Sequence, residues 1–258
     1  MNGKTRAGFL GTGSYLPEEV LTNQDMEKIV ETTNDWIVAR TGIKERHRAA
    51  PTQATSDLAV EAAKKALDAA GLKPTDIQLI IVATITADMP TPSTACLVQS
   101  KLGAPQAAAF DVSAACSGFV YGLAIAKAFV ESGMYRNILL IGAEKLTAFV
   151  DWKDRGSCVI FGDGAGAAVI GPVAEGQHEI LSSFMVANGQ EADLLKIPGG
   201  GSLTPASPDS LTQGLHYLKM QGKETFKVAV KVMADAILEA LRLAGLTLDQ
   251  VSLIIPHQ

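Results

Sequence analysis

The chain alternates between short, continuously apolar runs and longer stretches in which apolar residues recur every three or four positions. The short runs predict strands at Ala7 to Gly13, Ile77 to Thr84, Ala107 to Val112 and Asn137 to Gly142, with two shorter ones at Val159 to Phe161 and Ala165 to Ile170. The periodic stretches predict helices at Ser56 to Ala70, Ser93 to Leu102, Ser117 to Ser132 and Thr225 to Ala244. The last should bury Phe226, Val230, Met233, Ile237 and Leu241 on one face. Strands without polar alternation, separated by helices, predict an α/β fold whose sheet is covered on both faces.

The pattern repeats. Residues 66–81 and 240–255 align without a gap, and eight of the sixteen positions are identical: a helix end, Ala-Gly-Leu, and then Leu-Ile-Ile. Chance similarity between two helix–Gly–strand units supplies three or four matches, so a duplicated unit is expected, with halves at 1–172 and 173–258. By this internal ruler the second half is incomplete and should continue beyond Gln258 for roughly 70–90 residues. Between the copies, Ala187 to Glu224 holds Gly199-Gly-Gly201, Pro198, Pro205 and Pro208, composition of a functional flap or a disordered segment. No Lys-Ser/Thr and helix start follow these glycines, which argues against a phosphate cradle.

At 258 residues and 47% hydrophobic content the chain can bury a large core in one or two domains. A net charge of −5 and few, scattered aromatics argue against a nucleic-acid surface. The apolar stretch after Lys4 and Arg6 is broken by Gly8, Gly11 and Gly13, so it is no secretory segment, and no run is long enough to span a bilayer. Three cysteines, Cys96, Cys116 and Cys158, suit free thiols in a reducing compartment, and a cytoplasmic protein is expected. Cys96 and Cys158 have no His or Cys at ligand spacing, so no metal is expected.

Cys116 carries the most chemical information. It sits in Asp111-Val-Ser-Ala-Ala-Cys-Ser-Gly-Phe119, where a predicted strand turns into a predicted helix. The sulfur is expected near the free N–H groups of the first helical turn, a position that lowers a thiol pKa. Ala114, Ala115, Ser117 and Gly118 leave room for a substrate carbonyl. On the residues alone the thiol fits two descriptions, a nucleophile or a buried small hydrophobe. His257, at the end of the apolar run Leu253-Ile-Ile, is either a catalytic partner brought in from a distant segment or a satisfied loop residue. Gly162-Asp-Gly-Ala-Gly166 lacks the amphipathic helix of a dinucleotide site; its glycines should serve a tight turn, with Asp163 satisfying nearby N–H groups. Arg46-His-Arg48 is a phosphate contact or, more simply, a solvated turn.

Taken together, Asn34-Asp-Trp-Ile37, Arg40-Thr-Gly-Ile43, the Cys116 segment, Trp152-Lys-Asp-Arg155, Phe161-Gly-Asp-Gly-Ala-Gly-Ala167 and the terminal Pro-His-Gln resemble β-ketoacyl-acyl carrier protein synthase III, the initiating condensing enzyme of bacterial fatty acid synthesis. The resemblance implies a thiolase-like fold of duplicated αβαβα halves and a homodimer. It implies that Cys116 accepts an acyl group from acyl-CoA and that malonyl-acyl carrier protein then condenses with it, losing CO₂. His257 matches the family's catalytic His, and its Asn partner has no counterpart among these 258 residues. The family's C-terminal glycine-rich turn and its basic carrier-docking segment have none either. Trp36 and Arg155, with Arg40 nearby, match the residues around the coenzyme A adenine; without the resemblance, partial burial beside the Asn34-Asp35 turn is the lesser alternative for Trp36. No cofactor is implied beyond acyl-CoA as substrate. Lys227 and Lys231 fit an acidic carrier protein or a solvated face. A secondary-metabolite starter synthase and an inactive acyl-CoA-binding fragment are the rival expectations.

Overall fold

The structure, a computed structural model, describes residues 5–258. In chain order the elements are β1 (Arg6–Tyr15), β2 (Glu19–Thr22), α1 (Asn23–Met26), α2 (Asn34–Thr41), β3 (Glu45–Arg48), α3 (Thr55–Ala70), β4 (Leu79–Ala83), α4 (Thr94–Leu102) and β5 (Ala108–Val112). There follow α5 (Gly118–Glu131), β6 (Ile138–Lys145), α6 (Arg155–Cys158), β7 (Asp163–Val173), β8 (Leu195–Lys196), α7 (Pro208–Thr212), β9 (Lys219–Met220) and α8 (Gly222–Ala244). Among the described residues no helix is long and apolar enough to cross a membrane.

Five strands form the central sheet in the order β1-β7-β6-β4-β5. The strands β4, β5 and β6 run parallel, β7 is antiparallel to β6, and β1 is antiparallel to β7. Strand periodicity sorts the apolar residues onto two faces. Ile80, Val82, Leu139 and Ile141 join Leu58, Ala62, Ala66 and Val98 of α3 and α4 in one buried cluster. Leu79, Ile81, Ile138 and Leu140 join Ala126 and Val130 of α5 in the other. The sheet is covered on both sides, as the unbroken apolar runs predict.

Val159 to Phe161 is not a strand. Asp154 accepts hydrogen bonds from the Gly156 N–H (2.9 Å) and the Ser157 hydroxyl (2.7 Å), which starts the helical turn α6. The chain then turns at Ile160 and enters the single eleven-residue strand β7.

The repeat is visible in three dimensions. Helix α3 ends at Gly71 with φ 66° and ψ 28°, and α8 ends at Gly245 with φ 69° and ψ 27°. Each glycine is left-handed, a conformation that costs glycine little. A one-turn helix follows in both copies, Pro74–Asp76 and Leu248–Gln250. The copies then diverge. Residues 79–83 pair with two strands, whereas residues 253–255 form no strand, and Leu253 and Ile255 are exposed. An extended segment becomes a strand only where another strand takes its N–H and C=O groups, and none of the described residues do so here. The face expected to be buried on α8 is not buried either: Phe226, 70% accessible, and Val230 are exposed, Met233, Ile237 and Leu241 are half-buried, and the helix holds no buried residue.

Helix α3 lies directly on the backbone of β1. A Cβ at Gly13 would stand 2.4 Å from the Ala62 carbonyl oxygen and the Ala66 nitrogen, and one at Gly11 would stand 2.4 Å from the Ala70 nitrogen. These glycines allow the close contact that seats the alanine-rich face of α3. Gly13→Ala should therefore force β1 and α3 apart and cost about 1–3 kcal/mol of stability. Denaturant unfolding checks this, and an unchanged midpoint would show that the helix can shift freely.

Candidate active site

Parallel strands end on a common edge, so β4, β5 and β6 deliver their C-terminal ends to one side of the sheet, where antiparallel β7 begins. Ligands in open α/β sheets bind at this edge. A cavity of about 510 Å³ lies there. Ala83 and Ile85 line it from the end of β4, Cys116 from the segment after β5, Glu144 from β6 and Phe161 from the turn before β7. Leu195, Ile197 and Leu218, from the segment containing β8 and β9, close another side, and His257 completes the wall. The Gly- and Pro-rich connection is thus a covering flap. It is ordered by its own bonds, with the Gly199 N–H donating to the Leu215 carbonyl at 2.7 Å and the Gly200 N–H to Thr204 at 2.9 Å.

Cys116 occupies a single 3₁₀ turn, Ala115–Ser117, between β5 and α5. The chain reverses here through Ala115, whose φ of 46° is left-handed and costs a non-glycine residue about 1–2 kcal/mol. The strand leading into the turn is anchored by Asp111, whose carboxylate accepts the Thr94 N–H (2.7 Å) and the Ala95 N–H (2.8 Å) at the start of α4. The predicted strand–turn–helix passage around Cys116 is therefore present, with the strain one residue before the sulfur.

The expected lowering of the thiol pKa is not what this environment produces. Burial among the cavity's apolar side chains pushes the Cys116 thiol up, the thiol's own backbone N–H pulls down, and the Glu144 carboxylate adds to the upward shift. Desolvation of a thiolate outweighs the N–H groups of the turn. The residue nevertheless opens onto the cavity, whereas Cys158 is buried and raised to about 11 by desolvation and by Asp154. Cys96 is exposed, 3.2 Å from the Ser93 hydroxyl. Among the described residues no three His, Cys, Asp or Glu side chains are grouped to hold a metal.

Glu144 is the polar group that the sequence pattern missed, because the predicted strand ended at Gly142. Its carboxylate accepts the Ile85 N–H at 2.9 Å and the Thr86 and Thr84 hydroxyls at 2.5 and 3.3 Å. Burial pushes its pKa up, against the pull of these donors. An acidic residue continuing an otherwise apolar strand, Ile138–Lys145, was the available signal.

Trp36, Arg40 and Arg155 meet in a second group. The Arg40 guanidinium carbon lies 4.4 Å from the indole centroid and that of Arg155 lies 4.5 Å from it. Arg40 follows Trp36 by one turn of α2, and Arg155 opens α6 and donates to the Glu31 carbonyl at 3.1 Å. Among the described residues the ion pairs leave both guanidiniums without a carboxylate. Two adjacent cations around one indole have the chemistry to receive a flat anionic ligand. A further cavity of about 480 Å³ is lined by Asp154, Lys196 and Lys219 and shares Lys196 with the Cys116 cavity.

Arg46 is neither a phosphate contact nor part of a solvated turn. It is buried in β3, donating to the Leu21 and Val159 carbonyls (3.1 and 2.8 Å) and to the Asn23 side chain (3.0 Å). Arg48 is more exposed and pairs with Glu19. Asp163 accepts the Ala49 N–H (2.7 Å), the Thr147 N–H (2.9 Å) and the Thr147 hydroxyl (2.7 Å), so it satisfies nearby donors as expected. Lys227 pairs with Glu224 at 3.0 Å on the exposed side of α8, and Lys231 is exposed.

Comparison with known proteins agrees with this geometry. Residues 110–189, which contain Cys116 and the glycine motif, match the family model of 3-oxoacyl-[acyl-carrier-protein] synthase III. A β-ketoacyl-[acyl-carrier-protein] synthase III of Caldanaerobacter subterraneus is 58% identical over 255 residues, which is 99% of this chain and 77% of that protein. The crystal structure of 3-oxoacyl-[acyl-carrier-protein] synthase III from Aquifex aeolicus superposes with a TM-score of 0.86 at 47% identity, covering 96% of this chain and 75% of that one. The priming β-ketosynthase of the R1128 polyketide pathway gives 0.86 at 34% identity, over 97% of this chain and 74% of that one. With its cysteine turn, its sheet-edge cavity and these likenesses in register, the chain belongs to the β-ketoacyl-acyl carrier protein synthase III family of condensing enzymes.

Proposed function

We propose that this chain transfers the acyl group of an acyl-CoA to Cys116 and condenses it with malonyl-acyl carrier protein to give a β-ketoacyl-acyl carrier protein. One observation carries the proposal: Cys116 and His257, from distant parts of the chain, line the same cavity. The Cys116 sulfur attacks the thioester carbonyl, the carbon–sulfur bond to coenzyme A breaks, and the thiol proton leaves on the coenzyme A sulfur. Malonyl-acyl carrier protein then loses CO₂, its carbanion attacks the acyl-Cys116 carbonyl, and the cysteine leaves as a thiolate that takes a proton from water. His257 donates a hydrogen bond to the enolate oxygen that develops during decarboxylation. No cofactor takes part; both thioesters are substrates.

Coenzyme A binds with its adenine against Trp36, where the purine replaces one guanidinium contact and the arginines meet the phosphates. From there the cavity beside Asp154 and Lys196 leads the pantetheine arm toward the sulfur, an arrangement supported by the shared Lys196. Lys227 and Lys231 face solvent and fit an acidic carrier protein. A homodimer forms through the β5 edge, whose residues 108–112 are half-exposed and pair with β4 on one side only. Three free thiols suit the reducing cytoplasm as the site of action.

Exposure to an acyl-CoA followed by peptide mapping should place the acyl adduct on Cys116, and Cys116→Ala should abolish it. An adduct on Cys96 or Cys158 would assign the chemistry to another residue. A chain that bound acyl-CoA without forming any adduct would be a binding fragment.

Trp36→Ala and Arg155→Ala should each weaken coenzyme A binding by roughly three- to thirtyfold, as expected for a lost stacking or cation–π contact of about 0.5–2 kcal/mol. Calorimetric titration reads this directly. Equal affinity in both variants would move the nucleotide site away from the indole.

A further inference from the structure

Glu144 shares the cavity with Cys116, and no step of the condensation described above consumes it. Its carboxylate is the centre of a hydrogen-bond net. The Thr86 hydroxyl donates to it at 2.5 Å and itself accepts the Lys145 N–H at 2.9 Å. The Thr55 hydroxyl lies 3.1 Å from the Thr86 hydroxyl and donates to the Thr86 carbonyl at 2.6 Å. With the Ile85 N–H and the Thr84 hydroxyl, the net ties the end of β6 to residues 84–86 and to the start of α3. These residues follow β4, and Ile85 forms part of the cavity wall. A carboxylate that already accepts three hydrogen bonds is poorly placed to take the thiol proton as well. Its effect on Cys116 is therefore positional and electrostatic.

The other charged or titratable side chains facing this cavity are Lys196 on β8, ion-paired with Asp193 at 2.6 Å, and His257 in the C-terminal segment. Glu144 is the acidic one. A negative charge in a partly desolvated cavity opposes formation of a second.

We propose that Glu144 is a positioning residue for the condensation, locking Thr84, Ile85 and Thr86 as a wall of the cavity and holding Cys116 as the neutral thiol until a thioester arrives, a role that rests on Cys116 being the acyl acceptor. A neutral thiol resists alkylation and oxidation between turnovers, because the thiolate is the reactive form. The raised thiol pKa agrees with this arrangement.

The test follows iodoacetamide alkylation of the Cys116 peptide in the 258-residue protein across pH. Glu144→Gln keeps an acceptor oxygen for Ile85 and removes the charge. Its alkylation profile should move to lower pH, with about three- to tenfold faster modification near neutrality. Glu144→Asp keeps the charge and withdraws it from Thr86. Its alkylation profile should stay on that of the unaltered protein, while acylation by saturating acyl-CoA slows. A Glu144→Gln profile superposing on the unaltered one would overturn the proposal, as would a Glu144→Asp profile shifted to lower pH. The second variant decides the matter alone if the first does not fold. Failure of the acyl-acceptor role appears separately, as an absent adduct on Cys116 of the unaltered protein.

Discussion

A sheet whose strands are apolar on both faces must still find partners for the backbone N–H groups where its strands end. Three carboxylates solve this at one edge of the molecule. Asp111, in β5, accepts the first N–H groups of α4; Glu144, in β6, accepts that of Ile85; Asp163, at the start of β7, accepts those of Ala49 and Thr147. A buried donor left without a partner costs about 1–3 kcal/mol, and a charged acceptor satisfies two or three at once. The loops that form the cavity are held by these bonds. Cys116 can occupy a strained turn because the strand before it and the helix after it are both fixed.

The same edge sets the chemistry. Apolar side chains from β4, from the turn before β7 and from the flap lower the local polarity, so the thiolate is disfavoured even beside a helix start. In the same low-polarity space a hydrogen-bond donor aimed at a developing oxyanion is worth more than in water. The indole with its two guanidiniums stands apart, on α2 and α6, so that cluster and the Cys116 cavity are built from different elements.

Much of this was legible in the chain. The unbroken apolar runs at 79–83 and 138–141 could only be strands buried twice over, and the alternate residues divide between the two clusters as strand periodicity requires. The copy at 240–255 announced its helix cap and one-turn helix, because Gly71 and Gly245 meet the same local demand for a left-handed residue. Local pattern failed where partners decide the outcome. Residues 253–255 have strand composition and, among the described residues, no strand that pairs with them. The apolar stripe of α8 has helical period and little packed against it. Residues 159–161 look like a strand and are claimed by the cap at Asp154.

Local chemistry alone determined most of the elements, the strand–helix turn around Cys116 and the motifs of the family, because each depends on residues near one another in sequence. Tertiary structure decided everything that depends on distance through space. It brought His257 to the cavity of Cys116, set the Arg155 guanidinium on Trp36, buried Arg46 against acceptors at Leu21, Asn23 and Val159, and put Glu144 where it opposes ionisation of the thiol. The pKa of a side chain is a property of its surroundings, so sequence proximity to a helix start could suggest a lowered thiol pKa while the folded cavity raises it.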